Sequence, residues 1–341
     1  MVDIYELLRR DQDGTAEYVK EFLKSINVAF NVDAYGNIYY LDNENVPLLS
    51  AHMDTVRKEA DFCIGAFLAE SDSDKISSGG ILGGDDKCGV YIILKVLEEG
   101  KKVNFIFSKD EEIGCLGIKA LLKPKNVENK ELTDKIRNNC LYCLVLDRRG
   151  NSDIICYENN YGTLEFETKL KEVSDAGGLD YKPARGACSD ANTIREFIST
   201  ANLSVGYFNP HSQSEYIVKA DLEKAYDYTT IIIDTVTDKF KAYSYSYTYN
   251  NSGKKYNRVH YGYYDDDYED YGYGYGYGYY GYGYQNYDKN KKPKCKFCEF
   301  EDTTEKLYDF ILPDGREIKI CSYCIEDLEK EIKKVRLKMT T

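Results

Sequence analysis

Short apolar runs alternate with amphipathic helical patterns along residues 3–240 of this 341-residue chain. The apolar runs at residues 46–50 and 103–107 have the length of buried strands and are too short for core helices. Strands that alternate with helices are joined by crossovers, which place neighbouring strands parallel to one another. The pattern therefore predicts an α/β fold, with a mostly parallel or mixed sheet flanked by helices on both faces.

The same reading assigns the remaining elements of this region. A turn at residues 31–37 separates strand-like runs at 28–30 and 38–41. Further strands are predicted at residues 62–70, 141–146, 154–157, 164–170 and 203–208. Helices are predicted at residues 3–10, 15–27, 90–97, 117–122, 190–198 and 219–240.

Polar side chains follow several predicted strands at the point where each strand ends. Ligands of parallel sheets bind at the carboxyl ends of the strands. The chain has three histidines, and two of them occupy such positions. Polar residues that merely form the solvent-exposed edge of a sheet would not need to include two of the three histidines. We therefore expect a functional site built from His52, Asp54, Glu111, Glu112, Asp147 and His211.

A glycine-rich turn, Gly83-Gly84-Asp85-Asp86, precedes the apolar helix at residues 90–97. The free N–H groups and the dipole of a helix N-terminus favour negative charge. By itself this pattern is typical of a helix cap. Beside the strand-end residues, however, a carboxylate held here is suited to bridge two metal ions. Asp85 is our candidate for the bridge, and Asp86 is expected to cap the helix or support the ligands.

The chain is acidic, with a formal net charge of -13 and a pI near 4.9. Phosphate binding depends on Lys and Arg, so this charge argues against a nucleic-acid partner. The first residues lack the apolar core of a signal peptide. No apolar run approaches the roughly 20 residues that a membrane span needs. The sequence therefore predicts a cytoplasmic protein without a membrane segment.

The composition changes at about residue 242. Residues 243–290 are rich in Tyr and Gly, carry an acidic patch at Asp265-Asp266-Asp267, and lack the aliphatic residues of a core. This composition predicts a disordered linker between a domain at residues 1–242 and a second one at residues 291–341. The linker is interpreted either as a flexible spacer or as an aromatic segment that self-associates or binds a partner.

Two Cys-x-x-Cys pairs lie near the C-terminus, and their spacing is typical of a tetrathiolate zinc site. Pro313-Asp314-Gly315 lies between two apolar runs and indicates a hairpin. The pairs therefore predict a small zinc-bound α+β module that resembles zinc-ribbon or treble-clef modules. Its structural zinc would supply folding free energy that so small a core lacks, and its balanced charge favours a protein partner over DNA. The expected ligands are Cys295, Cys298, Cys321 and Cys324.

In chain order, the motifs are Ser-Ala-His52-Met-Asp54, Gly-Gly-Asp85-Asp86-Lys, Asp-Glu111-Glu112-Ile-Gly, Leu-Asp147 and Pro-His211-Ser. This set resembles the co-catalytic zinc exopeptidases, a superfamily that includes peptidase T, carboxypeptidase G and the zinc aminopeptidases. The resemblance covers roughly residues 15–240 and includes the turn Asp33-x-x-Gly36-Asn37. It implies the zinc exopeptidase-like α/β/α fold.

The resemblance also implies a role for each matching residue. Glu111 would be the general base that takes a proton from water, and Asp54 would fix the tautomer of a ligating histidine. The metals would be two zinc ions, with cobalt or manganese as alternatives. The implied ligands are His52 and Asp147 for one ion, Glu112 and His211 for the other, and Asp85 as the bridge.

The segment Arg185-Gly-Ala-Cys-Ser189-Asp190-Ala191 is similar to the segment that lines the substrate site in this superfamily. The resemblance implies that Arg185 pairs with a substrate carboxylate and that Asp190 supports the site. Larger relatives insert a lid domain after the strand that carries Asp147. Here fewer than fifty residues separate Asp147 from Ser189, and the core strands need them. We therefore expect a catalytic domain without a lid.

The sequence thus favours a metal-dependent hydrolase of peptide-type amide bonds. The expected activity is that of an exopeptidase, an aminopeptidase or a di- or tripeptidase, on small peptides. Two alternatives stay open. One is an amidohydrolase of acylated amino acids on the same fold, and the other is a non-catalytic adaptor that uses the zinc module and the Tyr-rich tract.

Overall fold

A computed structural model gives the architecture of residues 1–56, 69–72, 74–78, 80–123, 127–243, 245–251, 254–260, 307–311 and 317–321. The chain divides into two units, Met1–Asp265 and Asp266–Thr341. The first unit contains the α/β region and the strand-end residues singled out above.

Numbered along the chain, the strands of the α/β region are β1 (Asn31–Val32), β2 (Ile38–Tyr40), β3 (Val46–His52), β4 (Ala69–Asp72), β5 (Lys75–Ser77), β6 (Asn104–Ser108), β7 (Cys140–Arg148), β8 (Asp153–Ile155), β9 (Lys182–Pro183), β10 (Thr200–Ser204), β11 (Tyr207–Phe208) and β12 (Tyr216–Val218). The helices are α1 (Ile4–Leu8), α2 (Gln12–Ser25), α3 (Gly84–Glu98), α4 (Leu116–Leu122), α5 (Val127–Asn139), α6 (Leu164–Gly177), α7 (Ala191–Ile194) and α8 (Lys219–Thr235).

Within the described ranges, eight of these strands form one mixed sheet in the order β1-β2-β6-β3-β7-β10-β8-β9. Its centre is parallel, because β3 pairs with β6 and β7, and β7 pairs with β10. Strands β2 and β8 join the two flanks in antiparallel pairs. A second, antiparallel sheet has the order β11-β12-β5-β4. The carboxyl ends of β6, β3 and β7 therefore lie side by side.

Side chains of the central strands alternate between two apolar layers, as the period of a strand requires. Leu49 and Leu144 pack in one layer with residues of α1, α2, α3, α6 and α8. Their neighbours Leu48 and Val145 pack in the other layer with residues of α4, α5 and α7. Helices thus cover both faces of the sheet, which confirms the predicted α/β fold.

Residues 164–170 form the first half of helix α6, so the prediction of a strand there is wrong. The Thr163 hydroxyl caps the helix by accepting a hydrogen bond from the Phe166 N–H group at 3.2 Å. Phe166 and Leu170 are buried at helical spacing, whereas Leu164 is 54% exposed. Apolar residues at positions 164, 166 and 170 resemble the alternation of a strand. The Thr163 cap instead stabilises the first turn of a helix.

The predicted strand at residues 203–208 is divided between the two sheets. Strand β10 ends at Ser204, and β11 starts at Tyr207 in the second sheet. Gly206 turns the chain between them with φ of +90°. A Cβ atom at this position would lie 2.5 Å from the backbone nitrogen of Leu222, so a side chain does not fit. His211 therefore follows the second sheet and approaches the strand ends of the first sheet from there.

Two other strand predictions differ from the structure. Residues 28–30 form no strand, and pairing on that side begins with β1. Of the strand predicted at residues 62–70, residues 62–68 lie outside the described part of the chain. Ala69 and Glu70 begin β4.

A hairpin of Tyr245–Asn251 (β13) and Lys254–His260 (β14) occupies the start of the tract predicted to be a disordered linker. Tyr and Thr favour strands, and the Tyr residues recur here at every second position. This hairpin differs from the disordered linker predicted for these residues. Residues 261–306, which hold the Tyr-Gly repeat, lie outside the described residues.

In the second unit, Leu307–Ile311 (β15) pairs antiparallel with Glu317–Cys321 (β16). This pairing confirms the hairpin predicted around Pro313-Asp314-Gly315. The backbone of Cys321 ends β16. The segments that hold Cys295, Cys298 and Cys324 lie outside the described residues, so the structural zinc site stays a prediction.

Gly89 allows helix α3 to lie directly against strand β7. A Cβ atom at this position would collide with the carbonyl oxygen of Leu146 and with the carboxylate of Asp86. The close approach places the start of α3 beside Asp147, the next residue of β7. The packing of one helix on one strand thus sets the distance between the glycine-rich turn and the strand ends.

Candidate active site

Three adjacent strand ends bring polar residues from distant parts of the sequence together. His52 is the last residue of β3 and pairs in register with Ser108, the last residue of β6. Asp147 lies near the end of β7, on the other side of β3. The His52 Nε2 atom is 3.6 Å from Asp147 Oδ1 and 4.0 Å from Glu111 Oε2. The structure thus brings these residues together at one edge of the sheet.

The Asp85 carboxylate lies between the two histidines. Its Oδ1 atom is 3.1 Å from His52 Nε2, and its Oδ2 atom is 3.1 Å from His211 Nε2. His211 Nε2 is also 3.0 Å from Glu112 Oε1. Each oxygen of Asp85 thus belongs to a different cluster of donor atoms. His52 and Asp147 share one cluster, and His211 and Glu112 share the other.

The two clusters have the spacing that a divalent metal ion requires. In a tetrahedral zinc site with bonds of about 2.0–2.1 Å, neighbouring N and O ligands lie roughly 3.3 Å apart. Within the two clusters, the distances from the Nε2 atom of each histidine to the carboxylate oxygens of its own cluster are 3.0–3.6 Å. The Glu112 Oε1 atom is buried, and apart from the 3.0 Å approach of His211 Nε2 it has no hydrogen-bond partner. Imidazole nitrogens and carboxylate oxygens that converge in this way fit a pair of divalent ions that share Asp85.

Asp54 connects the first histidine to the loop of the two glutamates. Its Oδ1 atom is 3.3 Å from His52 Nδ1, the ring nitrogen that faces away from Asp85. The backbone N–H groups of Glu111 and Glu112 donate hydrogen bonds of 3.0 Å to its two oxygens. Burial opposes the charge of Asp54, yet His52 and these N–H groups lower its pKa to about 2. Asp54 thus stays ionised and orients both the ring and the glutamate loop.

Asp86 and Glu215 hold the glycine-rich turn. Asp86 is fully buried, and it accepts hydrogen bonds from the N–H groups of His52 and Gly89. Glu215 accepts from the N–H groups of Gly83 and Asp85 at 2.8 and 3.1 Å. Asp86 therefore caps helix α3 and positions His52, in agreement with its predicted supporting role. Asp85 and Asp86 themselves have non-helical dihedral angles, so the regular helical conformation begins after Asp86.

Asp147 is held by two neighbours that the sequence analysis did not name. Its backbone exchanges hydrogen bonds of 3.1 Å with the side chain of Asn202 on β10. Tyr207 donates a hydrogen bond of 3.3 Å to Asp147 Oδ1. The buried ammonium group of Lys87 was also missed, and it donates to the carbonyl of Met53 between His52 and Asp54. The position of Tyr207 just before His211 and that of Lys87 just after Asp86 are the signals that pointed to them.

The site concentrates negative charge in a buried space. Eight carboxylates gather there, while among the described residues Lys87 is the one fully buried Lys or Arg. Burial raises the pKa of Glu111 to about 9 and that of Asp147 to about 7, with help from neighbouring carboxylates. So many acids remain ionised together only when cations balance them. The carboxylates are Asp54, Asp85, Asp86, Glu111, Glu112, Asp147, Asp190 and Glu215.

The two residues predicted to bind substrate lie in different surroundings. Asp190 is 2% exposed and accepts a hydrogen bond from Ser108, so it lies beside β6 and Glu111. Arg185 pairs with Glu158 at 2.7 Å on the surface. The structure thus brings Asp190 into the carboxylate cluster. The roles of both residues in substrate binding stay predictions.

The chain matches known proteins in its sequence and its fold. The sequence model described as Peptidase family M20/M25/M40 matches residues 48–235. A comparison with curated protein sequences gives no match. No helix of the described residues is both long enough and apolar enough to cross a membrane.

Among solved structures, the chain is similar to aminopeptidase PepT from Bacillus cereus, with a TM-score of 0.54 and 18% identity over 69% of this chain and 97% of that chain. A tripeptidase from Staphylococcus aureus gives a TM-score of 0.55 and 18% identity, over 69% and 96% of the two chains. An aminopeptidase from the archaeon Desulfurococcus kamchatkensis gives 0.52 and 15%, over 68% and 93%. At these identities the similarity shows the fold.

The charge of the site predicts how metal removal changes the pH dependence of stability. Without metal, the folded protein keeps protons on Glu111, Asp147 and Asp190, whose pKa values burial raises to about 9, 7 and 6, from ordinary values of 4.5 for Glu and 3.8 for Asp. The unfolded chain loses these protons near its ordinary values, so the free energy of unfolding falls as the pH rises from about 5 to about 9. His211 adds to this fall, since Asp85 and Glu112 overcome its desolvation and raise its pKa to about 10.

Zinc binding displaces these protons, so the free energy of unfolding should fall less steeply with rising pH when zinc is bound. The measurement is the midpoint of thermal unfolding between pH 5 and 9, with chelator and with zinc. The control is Asp85→Asn, in which the effect of zinc on the slope should shrink. Equal slopes with and without zinc in the wild type would contradict the metal assignment.

Proposed function

The chain belongs to peptidase family M20/M25/M40 and is a metallopeptidase, and on this premise we propose that it is an exopeptidase that acts on small peptides with a free amino terminus. The observation that carries the proposal is the Asp85 carboxylate, which faces His52 with one oxygen and His211 with the other. This arrangement suits a pair of metal ions, which together can bind a water molecule and polarise a peptide carbonyl.

The proposed ligand sets follow the two donor clusters. His52 and Asp147 would bind one ion, and Glu112 and His211 would bind the other, with Asp85 shared between them. Zinc is the proposed metal, because the donors are imidazole and carboxylate, and cobalt or manganese suits the same donors. His211 is 49% exposed, whereas His52 is 2% exposed. Substrate would therefore enter from the side of His211.

With two divalent ions bound, the site would lower the pKa of a water molecule and polarise the carbonyl of the peptide bond to be cleaved. Glu111 would take the proton of the water, because its Oε2 atom lies 4.0 Å from His52 Nε2 and its backbone is fixed by Asp54. Burial raises the proton affinity of Glu111. The carboxyl group can then hold the proton and deliver it to the amine that leaves.

The surplus of negative charge favours substrates with a free amine. Two divalent ions and Lys87 balance five of the eight negative charges that the carboxylates carry when ionised. The remaining potential attracts the ammonium group of a peptide and offers no such attraction to an acylated nitrogen. The charge therefore supports an aminopeptidase or a di- or tripeptidase over the alternative, an amidohydrolase of acylated amino acids.

The segment after Asp147 supports a catalytic domain without a lid. Residues 153–183 include β8 and β9, which extend the central sheet, and α6, which packs on it. This stretch contributes to the core of the domain, which supports the absence of an inserted lid at this point. Without a lid the site would be open to solvent, which suits substrates that carry a recognition group at the end of their chain.

The direct test of the proposed function is a cleavage assay on matched tripeptides with free and acetylated amino termini, in the presence of zinc, cobalt or manganese. We expect release of the first residue from the free peptide and little cleavage of the acetylated one, as read by mass spectrometry. Preference for the acetylated substrate would support the amidohydrolase. Activity on neither, together with zinc bound only by the cysteines, would support the adaptor.

The adjacent glutamates provide a matched pair for the mechanism. Glu111→Gln removes the proton acceptor and should lower kcat by roughly 10²–10⁴-fold while the zinc content stays that of the wild type. Glu112→Gln removes a ligand and should lower both activity and zinc content. The measurements are steady-state kinetics and elemental analysis on the same preparations. Near-wild-type kcat in Glu111→Gln would refute the assignment of the base.

For the C-terminal module, we propose one structural zinc on Cys295, Cys298, Cys321 and Cys324, and a protein partner. The antiparallel pair of β15 and β16 supports this, because a hairpin between two knuckles is typical of such modules. Elemental analysis of the zinc-loaded chain should give about three zinc ions. The double variant Cys295→Ser, Cys298→Ser should lose about one of them and keep peptidase activity. An unchanged zinc content would refute the site.

A further inference from the structure

A third cluster of donor atoms lies on the side of Glu111 that faces away from His52. The Oε2 atom of Glu111 faces His52, while its Oε1 atom accepts a hydrogen bond of 3.4 Å from Cys115 Sγ. Asp190 completes the cluster, and one donor atom from each of the three residues lies within 4.8 Å of the others. Nothing in the proposed mechanism uses Cys115.

The geometry of this cluster fits a thiophilic cation. For zinc bound by one sulfur and one oxygen at about 2.3 and 2.1 Å, the two ligand atoms lie roughly 3.6 Å apart, close to the separation of Cys115 and Glu111. The Asp190 Oδ1 atom is buried and has no hydrogen bond of good geometry, while its other oxygen accepts one from Ser108. The Cys115 thiol is shared between Asp190 and Glu111, and its single proton does not satisfy both carboxylates. A metal ion in place of that proton would bind the thiolate and both carboxylates.

The backbone preforms the position of the thiol. Residues 111–115 make a tight turn in which the N–H groups of Gly114 and Cys115 donate to the Glu111 carbonyl at 2.9 and 2.8 Å. Cys115 itself has a positive φ of 54° directly before helix α4. The turn returns the chain over Glu111, so the sulfur reaches the glutamate of its own loop without any rearrangement.

We propose that Glu111, Cys115 and Asp190 form a third cation site, which binds a thiophilic divalent ion such as excess zinc or cadmium and thereby inhibits the enzyme. The inhibitory part rests on the proposed role of Glu111. A cation on Oε1 withdraws charge from the carboxylate and fixes its orientation, so Glu111 can no longer take a proton from water. The binding part rests on the cluster alone.

Cys188 offers the route by which an ion reaches the cluster. It is exposed to solvent, whereas Cys115 is buried, and a hydrogen bond connects the two thiols. An ion from solvent can therefore bind first to Cys188 and then transfer to Cys115. On binding, the Cys115 thiol gives its proton to solvent and the thiolate becomes the ligand.

The surroundings of the thiol limit the affinity of this site. The hydrogen bond with Cys188 and burial raise the pKa of Cys115, so the metal must displace a firmly held proton. Two divalent ions in the neighbouring site also repel a third. The site therefore fills only after the other two, which is the behaviour of an inhibitory site rather than a structural one.

The test uses the full chain loaded with zinc and kept reduced by a phosphine. Cadmium is added in steps, while the ultraviolet sulfur-to-cadmium charge-transfer band and tripeptide hydrolysis are recorded. The variants are Cys115→Ser, which keeps a hydrogen-bond donor for Glu111, and Cys156→Ser, which removes a buried thiol from the other apolar layer. Magnesium, which prefers oxygen ligands, serves as the hard-cation control.

We expect the part of the band that comes from Cys115 to be absent in Cys115→Ser and present in Cys156→Ser. The cadmium concentration for half-inhibition should rise roughly tenfold or more in Cys115→Ser, relative to its own uninhibited rate. Magnesium should not inhibit any of the proteins. The cysteine pairs of the C-terminal module contribute equally to all three, so they cancel in the comparison.

An identical band and identical inhibition in Cys115→Ser would overturn the proposal. Loss of the band with unchanged inhibition would overturn the inhibitory role. If Cys115→Ser is unfolded by circular dichroism, Asp190→Asn takes its place and must weaken inhibition likewise. If the wild type hydrolyses no peptide, the proposed function fails, and the band from Cys115 still decides whether the third site exists.

Discussion

The architecture of the site depends on one constraint, which is the need to keep a cluster of buried carboxylates ionised. Asp85 shows the solution most clearly, because one of its oxygens faces His52 at the end of β3 and the other faces His211 in the turn between β11 and β12. Hydrogen bonds from the protein alone do not balance eight buried acids, and burial accordingly raises the pKa values of Glu111 and Asp147. Divalent cations, as proposed here, would offset this repulsion between carboxylates and make the cluster competent for catalysis.

Backbone groups give the cluster its shape, and each supporting acid fixes a different segment. Asp54 receives the N–H groups of the glutamate loop, Asp86 receives that of His52, and Glu215 receives those of the glycine-rich turn. Glu111 is therefore held on one side by the catalytic centre and contacts Cys115 on the other. The proposed reaction and its proposed inhibition by soft metals thus depend on one side chain, that of Glu111.

Much of this site could be predicted from the sequence, because strand-end residues of parallel strands must meet and the motifs occur in a characteristic order. Its supports were harder to foresee. Tyr207 and Lys87 lie close in sequence to predicted site residues. The groups that they contact, Asp147 and the carbonyl of Met53, belong to distant segments, so the sequence does not specify these contacts. In the fold, residues 164–170 alternated like a strand, and the Thr163 cap shows why they form a helix. The break at Gly206 depends on contact with Leu222, which a single sequence does not reveal.

The shared carboxylate is the central claim, and anomalous diffraction at the zinc edge from crystals of the zinc-loaded protein tests it most directly. We expect two anomalous peaks about 3.5–4 Å apart, one beside His52 and Asp147 and one beside His211 and Glu112, with one oxygen of Asp85 on each. A single peak at this position, or two peaks that do not share Asp85, would contradict the two-metal site.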